Sequence, residues 1–253
     1  FSNCVIRNSP VGIGFYMKDG ATMERVTFSN ISIETTTGTG SCCPIFMDIE
    51  RRNPDSRIGR IRDVIFRDIQ INSGAGVLIQ GMPESAIENL TMENITVRVE
   101  RAQDYAKRVK HIGGRRTTRD ERDTLYARQP SYFTLANVRG LFLDSVRVLI
   151  SPQAWKQYER CAISGHNIEN GTIGSVYRSA SEKDSTAPVV TLENCRKIIL
   201  TGSQAQPGTG VFLNLRGKQT ADISLVGNDL HYARSAVTRD KEIPSDAVRL
   251  ASP

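Results

Sequence analysis

Two short blocks near the start of the chain have the residue types and spacing to hold an anion. In Gly14-Phe15-Tyr16-Met17-Lys18, Tyr16 and Lys18 share a parity, so on an extended strand they face the same side. The second block, Pro44-Ile45-Phe46-Met47-Asp48-Ile49-Glu50-Arg51-Arg52, ends in two guanidinium groups. A planar guanidinium fork matches a carboxylate better than an ammonium does. Within that block Asp48 and Glu50 also read as a carboxylate pair in their own right. Each candidate has a plainer reading. Lys18 beside Asp19 is a possible exposed turn pair, worth under about 1 kcal/mol. His111 lies in a polar basic loop, and Ser164-Gly165-His166-Asn167 reads as a turn between strands.

Charge is unevenly spread. From residue 101 to 128 there are nine Lys or Arg against four Asp or Glu, which gives +5 of the chain's formal +6. Residues 101–134 lack sustained alternation and read as a long basic insertion loop, either a solvated surface loop or a cationic wall facing an anionic ligand. Five cysteines, Cys4, Cys42, Cys43, Cys161 and Cys195, show no CxxC spacing and no zinc pattern. They read as small buried apolar residues, with vicinal Cys42-Cys43 as a possible disulfide partner. No apolar run reaches the roughly 18 residues of a membrane span. The residues call for no cofactor, no metal and no nucleic acid.

The elements that must position these groups are legible from a repeat. Val26-Thr27-Phe28-Ser29-Asn30-Ile31-Ser32-Ile33 alternates apolar and polar residues around a central Asn. The grammar returns at Val64 to Ile71, at Leu90 to Val97 and more loosely at Leu141 to Val148, in steps of 38, 26 and 51 residues. Period-two alternation predicts a strand with one buried face. A single such strand cannot bury that face alone, but stacked copies form a continuous core. The Asn or Asp sits where the alternation breaks, and such a residue suits a bend in the left-handed region. Stacked Asn side chains also bond from rung to rung. For Asn30 and Asn94, which head Asn-x-Ser/Thr triplets as Asn170 does, that ladder role outweighs glycosylation. The reading is all-β: a right-handed, single-stranded parallel β-helix, a solenoid forming one domain over residues 1–253, with a polar surface tail at 238–253. Phe1-Ser2-Asn3-Cys4-Val5-Ile6 already reads as the end of a rung, so the expectation is the C-terminal part of a longer chain.

Together the Gly14-to-Lys18, Val26-to-Ile33 and Pro44-to-Arg52 segments resemble the C-terminal half of glycoside hydrolase family 28, the polygalacturonases, on the pectin-lyase-like fold. The Pro44-to-Arg52 block is similar to the bacterial exo-acting branch. The resemblance implies a secreted or periplasmic monomer that hydrolyses pectic polysaccharide, galacturonan or rhamnogalacturonan, with inversion. It implies substrate binding by Lys18, which matches the Lys of the family's Gly-x-Arg-x-Lys motif, and by Tyr16, which replaces its Arg. Arg51 stands near a substrate-contacting Tyr of the family, and Arg52 follows it. The family's catalytic Asp-Asp and Gly-His-Gly motifs are absent, so no catalytic residue is identifiable and the catalytic Asp residues are expected upstream of residue 1. Two alternatives stand beside this: a polysaccharide lyase on the same fold, and a non-catalytic carbohydrate-binding or adhesin β-helix.

Overall fold

The computed structural model describes residues 1–36, 43–103 and 131–251. It is all-β, with sixteen strands hydrogen-bonded into one sheet in which every strand pairing is parallel. The long path begins with β1 (Ser2–Ser9), β3 (Thr22–Thr35), β5 (Arg60–Asn72) and β7 (Ile87–Val99). It continues through β8 (Ser131–Ile150) and β9 (Cys161–Gly174) to β11 (Val190–Glu193), β13 (Thr209–Arg216) and β15 (Ala233–Arg239). A second path, β2 (Val11–Met17), β4 (Cys43–Ile49) and β6 (Val77–Gln80), joins the first third of β8. A third leaves the second half of β9 for β12 (Arg196–Thr201), β14 (Ala221–Val226) and β16 (Val248–Ala251). The two-residue β10 (Tyr177–Arg178) lies against β8. Parallel partners cannot be joined by a tight hairpin, so the chain must travel away and return before each pairing.

The alternation seen in the sequence buries one parity. Phe28, Phe66 and Met92 stand in register on β3, β5 and β7, as do Ile31, Ile69 and Ile95. All six are nearly inaccessible and belong to one continuous core. Phe1, Phe28 and Phe66 stack ring on ring, with centroids 5.0 and 5.1 Å apart. Such aromatic contacts add to the area they bury.

The long strands are bent at fixed places. Asn3, Asn30, Asp68, Asn94 and Ser145 all have φ between 52° and 56°, and registration puts them in one column. A second column runs Arg25, Asp63, Asn89, Gly140, Asn170, Lys197, Asp222, again all left-handed. Side chains bridge adjacent corners: Asn30 donates to Asn3 at 2.6 Å, Asn94 to Asp68 at 2.6 Å and Asn89 to Asp63 at 2.8 Å. Left-handed backbone costs an ordinary L-residue roughly 1–2 kcal/mol, and Asn and Asp tolerate it best because they bond locally. Arg25 and Lys197 occupy the same conformation with no such chemistry of their own, so the neighbouring corners impose it on them.

The corner at Asn137, with φ at 52°, carries the clearest test. Its amide donates to the Gly81 carbonyl at 3.0 Å and its oxygen accepts from Asn167 at 3.0 Å. Asn137→Ala is expected to lose about 2 kcal/mol in urea unfolding, combining lost bonds with backbone strain. Asn137→Gly removes the same bonds but accepts the left-handed φ, so it should lose less. A Gly variant no more stable than the Ala variant would show that the corner conformation contributes nothing.

Three expectations need correction or placing. The insertion expected over 101–134 ends sooner, because Ser131, Tyr132, Phe133 and Thr134 open β8 and are fully buried. Residues 104–130, His111 among them, lie outside the described residues. The polar segment expected as a surface tail at 238–253 instead carries β16, which pairs with β14, and buries Ile243 and Ala247. A strand at the end of a stack needs only one apolar parity, so its polar composition misleads. Trp155 lies on a short helix, α1 (Pro152–Gln157), capped by the Ser151 side chain, with Tyr158 following at its C-cap. Cys43, Cys161 and Cys195 are buried thiols, and Cys42 lies outside the described residues. Burial pushes the Cys195 thiol up to about 12. No helix among the described residues is long and apolar enough to cross a membrane.

Candidate functional site

Tyr16 begins a polar column on the face opposite the core. Registration aligns Tyr16 with Asp48, Gln80, Ala136, His166, Glu193 and Arg216 on successive strands. Adjacent strands lie about 4.8 Å apart, so the column spans roughly 29 Å. Two residues earlier on the same face run Phe46, Leu78, Thr134, Ser164, Thr191 and Asn214. The intervening positions, such as Met47, Ile79, Leu135 and Leu192, are core. The face therefore changes along the stack, from aromatic and acidic at the β2–β4 end to imidazole, carboxylate and guanidinium at the β9–β13 end.

At the first end, Lys18 forms an ion pair with Glu50, whose side chain is only 1% exposed. The Lys18 ammonium also lies 5.6 Å from the centre of the Tyr16 ring, and that ring packs on Phe46 at 4.6 Å. Asp48 is fully buried beneath Tyr16 in the register. A buried carboxylate is tolerable only when a cation or hydrogen bonds compensate it, and Lys18 supplies the cation here. The sequence-derived set thus divides. Tyr16 and Lys18 come together, along with the Asp48–Glu50 pair. Arg51 donates to the Ser56 carbonyl at 2.5 Å and stands 3.8 Å from Glu84. Arg52 donates to Asp19 at 2.7 Å in the turn that follows β2.

At the other end, His166 Nδ1 lies 3.8 Å from Glu193 Oε1, both partly accessible at 22% and 13%. An imidazole beside a carboxylate can take up and release a proton near neutral pH. Cys161 Sγ lies 3.4 Å from the Thr191 hydroxyl on the same face, and burial pushes the thiol up, making it a poor nucleophile. Gln80, Glu193 and Arg216 did not emerge from the sequence, because the repeat that is visible there aligns the other run of strands. The signal was present as a second register, Tyr16 to Asp48 to Gln80, with two equal steps of 32 residues. Among the described residues no three His, Cys, Asp or Glu side chains gather as a metal-binding set.

Carboxylate geometry limits the chemistry. Inverting glycoside hydrolysis needs two carboxyl groups about 6.5–9.5 Å apart with room for water between. Asp48 and Glu50 are two residues apart along one face, about 6.6 Å by strand rise. Both are inaccessible, and Glu50 is held by Lys18. Asp48 and Glu193 stand four strand steps apart, about 19 Å. No family model matches the chain, and no curated protein or solved structure matches it either.

Proposed function

We propose that the chain is a right-handed parallel β-helix of the pectin-lyase-like kind that binds an acidic pectic polysaccharide along the Tyr16–Arg216 face, as part of an inverting glycoside hydrolase of the polygalacturonase type acting outside the cell. The observation that carries this is the column itself. Parallel stacking brings tyrosine, amide, imidazole, carboxylate and guanidinium groups to one face at regular intervals along an axis. An extended polymer of repeating units is the ligand that such a linear array suits. The chain's net charge of +6 favours an anionic one.

The carboxylate distances favour a second reading for this stretch taken alone, that of a carbohydrate-binding surface without turnover. Affinity electrophoresis through gels containing polygalacturonate, with neutral galactan as control, tests both readings. Residues 1–253 are expected to be retarded by polygalacturonate and not by galactan, and Tyr16→Ala and His166→Ala should reduce the retardation. Reducing-end release should be undetectable, and no ultraviolet-absorbing unsaturated uronate should form. Equal mobility in both gels would overturn the proposal. An unsaturated product would replace the hydrolase with a lyase.

A further inference from the structure

A second concavity lies beyond the end of β8, away from the Tyr16 column. It encloses about 410 Å³ between α1 and the segment around residues 180–183, and its walls include Ile150, Trp155, Lys156, Tyr158, Glu159 and Lys183. That volume falls within the range of small-molecule sites, which combine apolar walls with a few placed polar groups.

The walls are held rigid from behind. Arg178, 3% exposed, places its guanidinium 5.2 Å from the centre of the Trp155 ring. It also donates to the carbonyls of Ala187 and Pro188 at 2.8 and 3.0 Å. Burial pulls its pKa down to about 10, which leaves it charged at neutral pH. Arg160, equally buried, lies 4.8 Å from the centre of the Tyr158 ring. Each aromatic wall thus has a cation against one face, which fixes its orientation before any ligand arrives.

The charges of the walls are not equivalent. Glu159 accepts bonds from the Thr186 amide at 2.6 Å, the Thr186 hydroxyl at 2.7 Å and the Ser185 hydroxyl at 3.3 Å. Partial burial pushes its carboxyl up, but the Thr186 and Ser185 bonds outweigh this and hold it below the usual range. Its negative charge is engaged within the protein. Among the described residues Lys156 and Lys183 form no ion pair, and both are exposed. Glu182, also in the wall, offsets one of them and leaves a cationic surplus.

We infer that this cavity is a binding site for a carboxylate-bearing sugar ring, with the ring's apolar face against Trp155 or Tyr158 and its carboxylate met by Lys156 and Lys183. The class of sugar rests on the acidic-polysaccharide reading above, whereas the position of the site does not.

Trp155 is the only tryptophan in the chain, so its fluorescence reports this cavity alone. Residues 1–253 are titrated with digalacturonate and, separately, with a neutral disaccharide of galactose. A saturable change in Trp155 emission is expected with the acidic sugar and not with the neutral one. The Lys156→Ala/Lys183→Ala double variant should weaken the apparent Kd at least tenfold, and Tyr158→Ala should weaken it too. Tyr16→Ala should leave it unchanged. Both lysines are exposed, so these variants are expected to fold, and retained circular dichroism confirms it. An unresponsive Trp155 with either sugar overturns the inference. So does an equal response to both sugars that ignores the lysines. A silent Trp155 with gel retardation intact removes this site alone; lost retardation with a normal titration removes the Tyr16 column reading alone.

Discussion

Lys18→Met is expected to lower the free energy of unfolding by about 3 kcal/mol. The reason lies in Glu50 rather than in Lys18 itself. The Glu50 side chain is 1% exposed, and the Lys18 ammonium is its ion-pair partner. Methionine keeps the apolar stem of Lys18 and removes only the charge, which leaves a carboxylate inside the protein with its compensation reduced. Glu50→Gln alone should cost less, because it removes the buried charge instead of stranding it. The double variant, Lys18→Met with Glu50→Gln, should recover much of the loss. Urea unfolding of the four proteins at pH 7 gives the coupling energy directly. A Lys18→Met protein within about 0.5 kcal/mol of the parent would show that the pair contributes nothing to folding. The resemblance assigns Lys18 to a sugar carboxylate. With Glu50 already bound there, such a ligand would have to share the ammonium with a protein carboxylate, and a binding defect in a Lys18 variant must be separated from its loss of stability.

Phe66→Ala should cost more, about 3–5 kcal/mol. Phe66 is fully buried, its ring is stacked on Phe28 with centroids 5.1 Å apart, and its register partner on the next strand is Met92. Alanine there leaves a cavity bounded by strands on both sides, and the sheet hydrogen bonds hold those strands at a fixed spacing, so the site cannot collapse. Phe66→Leu keeps most of the volume and should cost about 1 kcal/mol. If thermal and urea unfolding place Phe66→Ala no lower than Phe66→Leu, the column is more deformable than its packing indicates.

These two residues mark where sequence reading succeeds and where it stops. Phe66 was legible because a strand with one buried face writes its burial as alternation, and the same word recurs at Phe28 and Met92. The Asn and Asp corners were legible for a similar reason, since few residues tolerate that backbone. Tyr132 and Phe133 were not. Both are buried although they lie on opposite faces, so no alternation marks the strand, and they follow directly on a polar basic stretch. Lys18 and Glu50 were each visible as residue types, but their pairing depends on a register between strands 32 residues apart. Gln80, Glu193 and Arg216 are ordinary surface letters until that register lines them up.

The corner columns also decide what the chain can carry. β5 and β7 are in register with partners 26 residues apart, and β7 and β8 with partners 51 apart, yet the left-handed column continues from Asn89 to Gly140 without slipping. Alignment is therefore renewed locally at each pass and is indifferent to how much polypeptide lies between. A foreign peptide or a whole small domain spliced between Val99 and Ser131 would leave the strands on either side in place, which makes that junction a natural graft point for cargo.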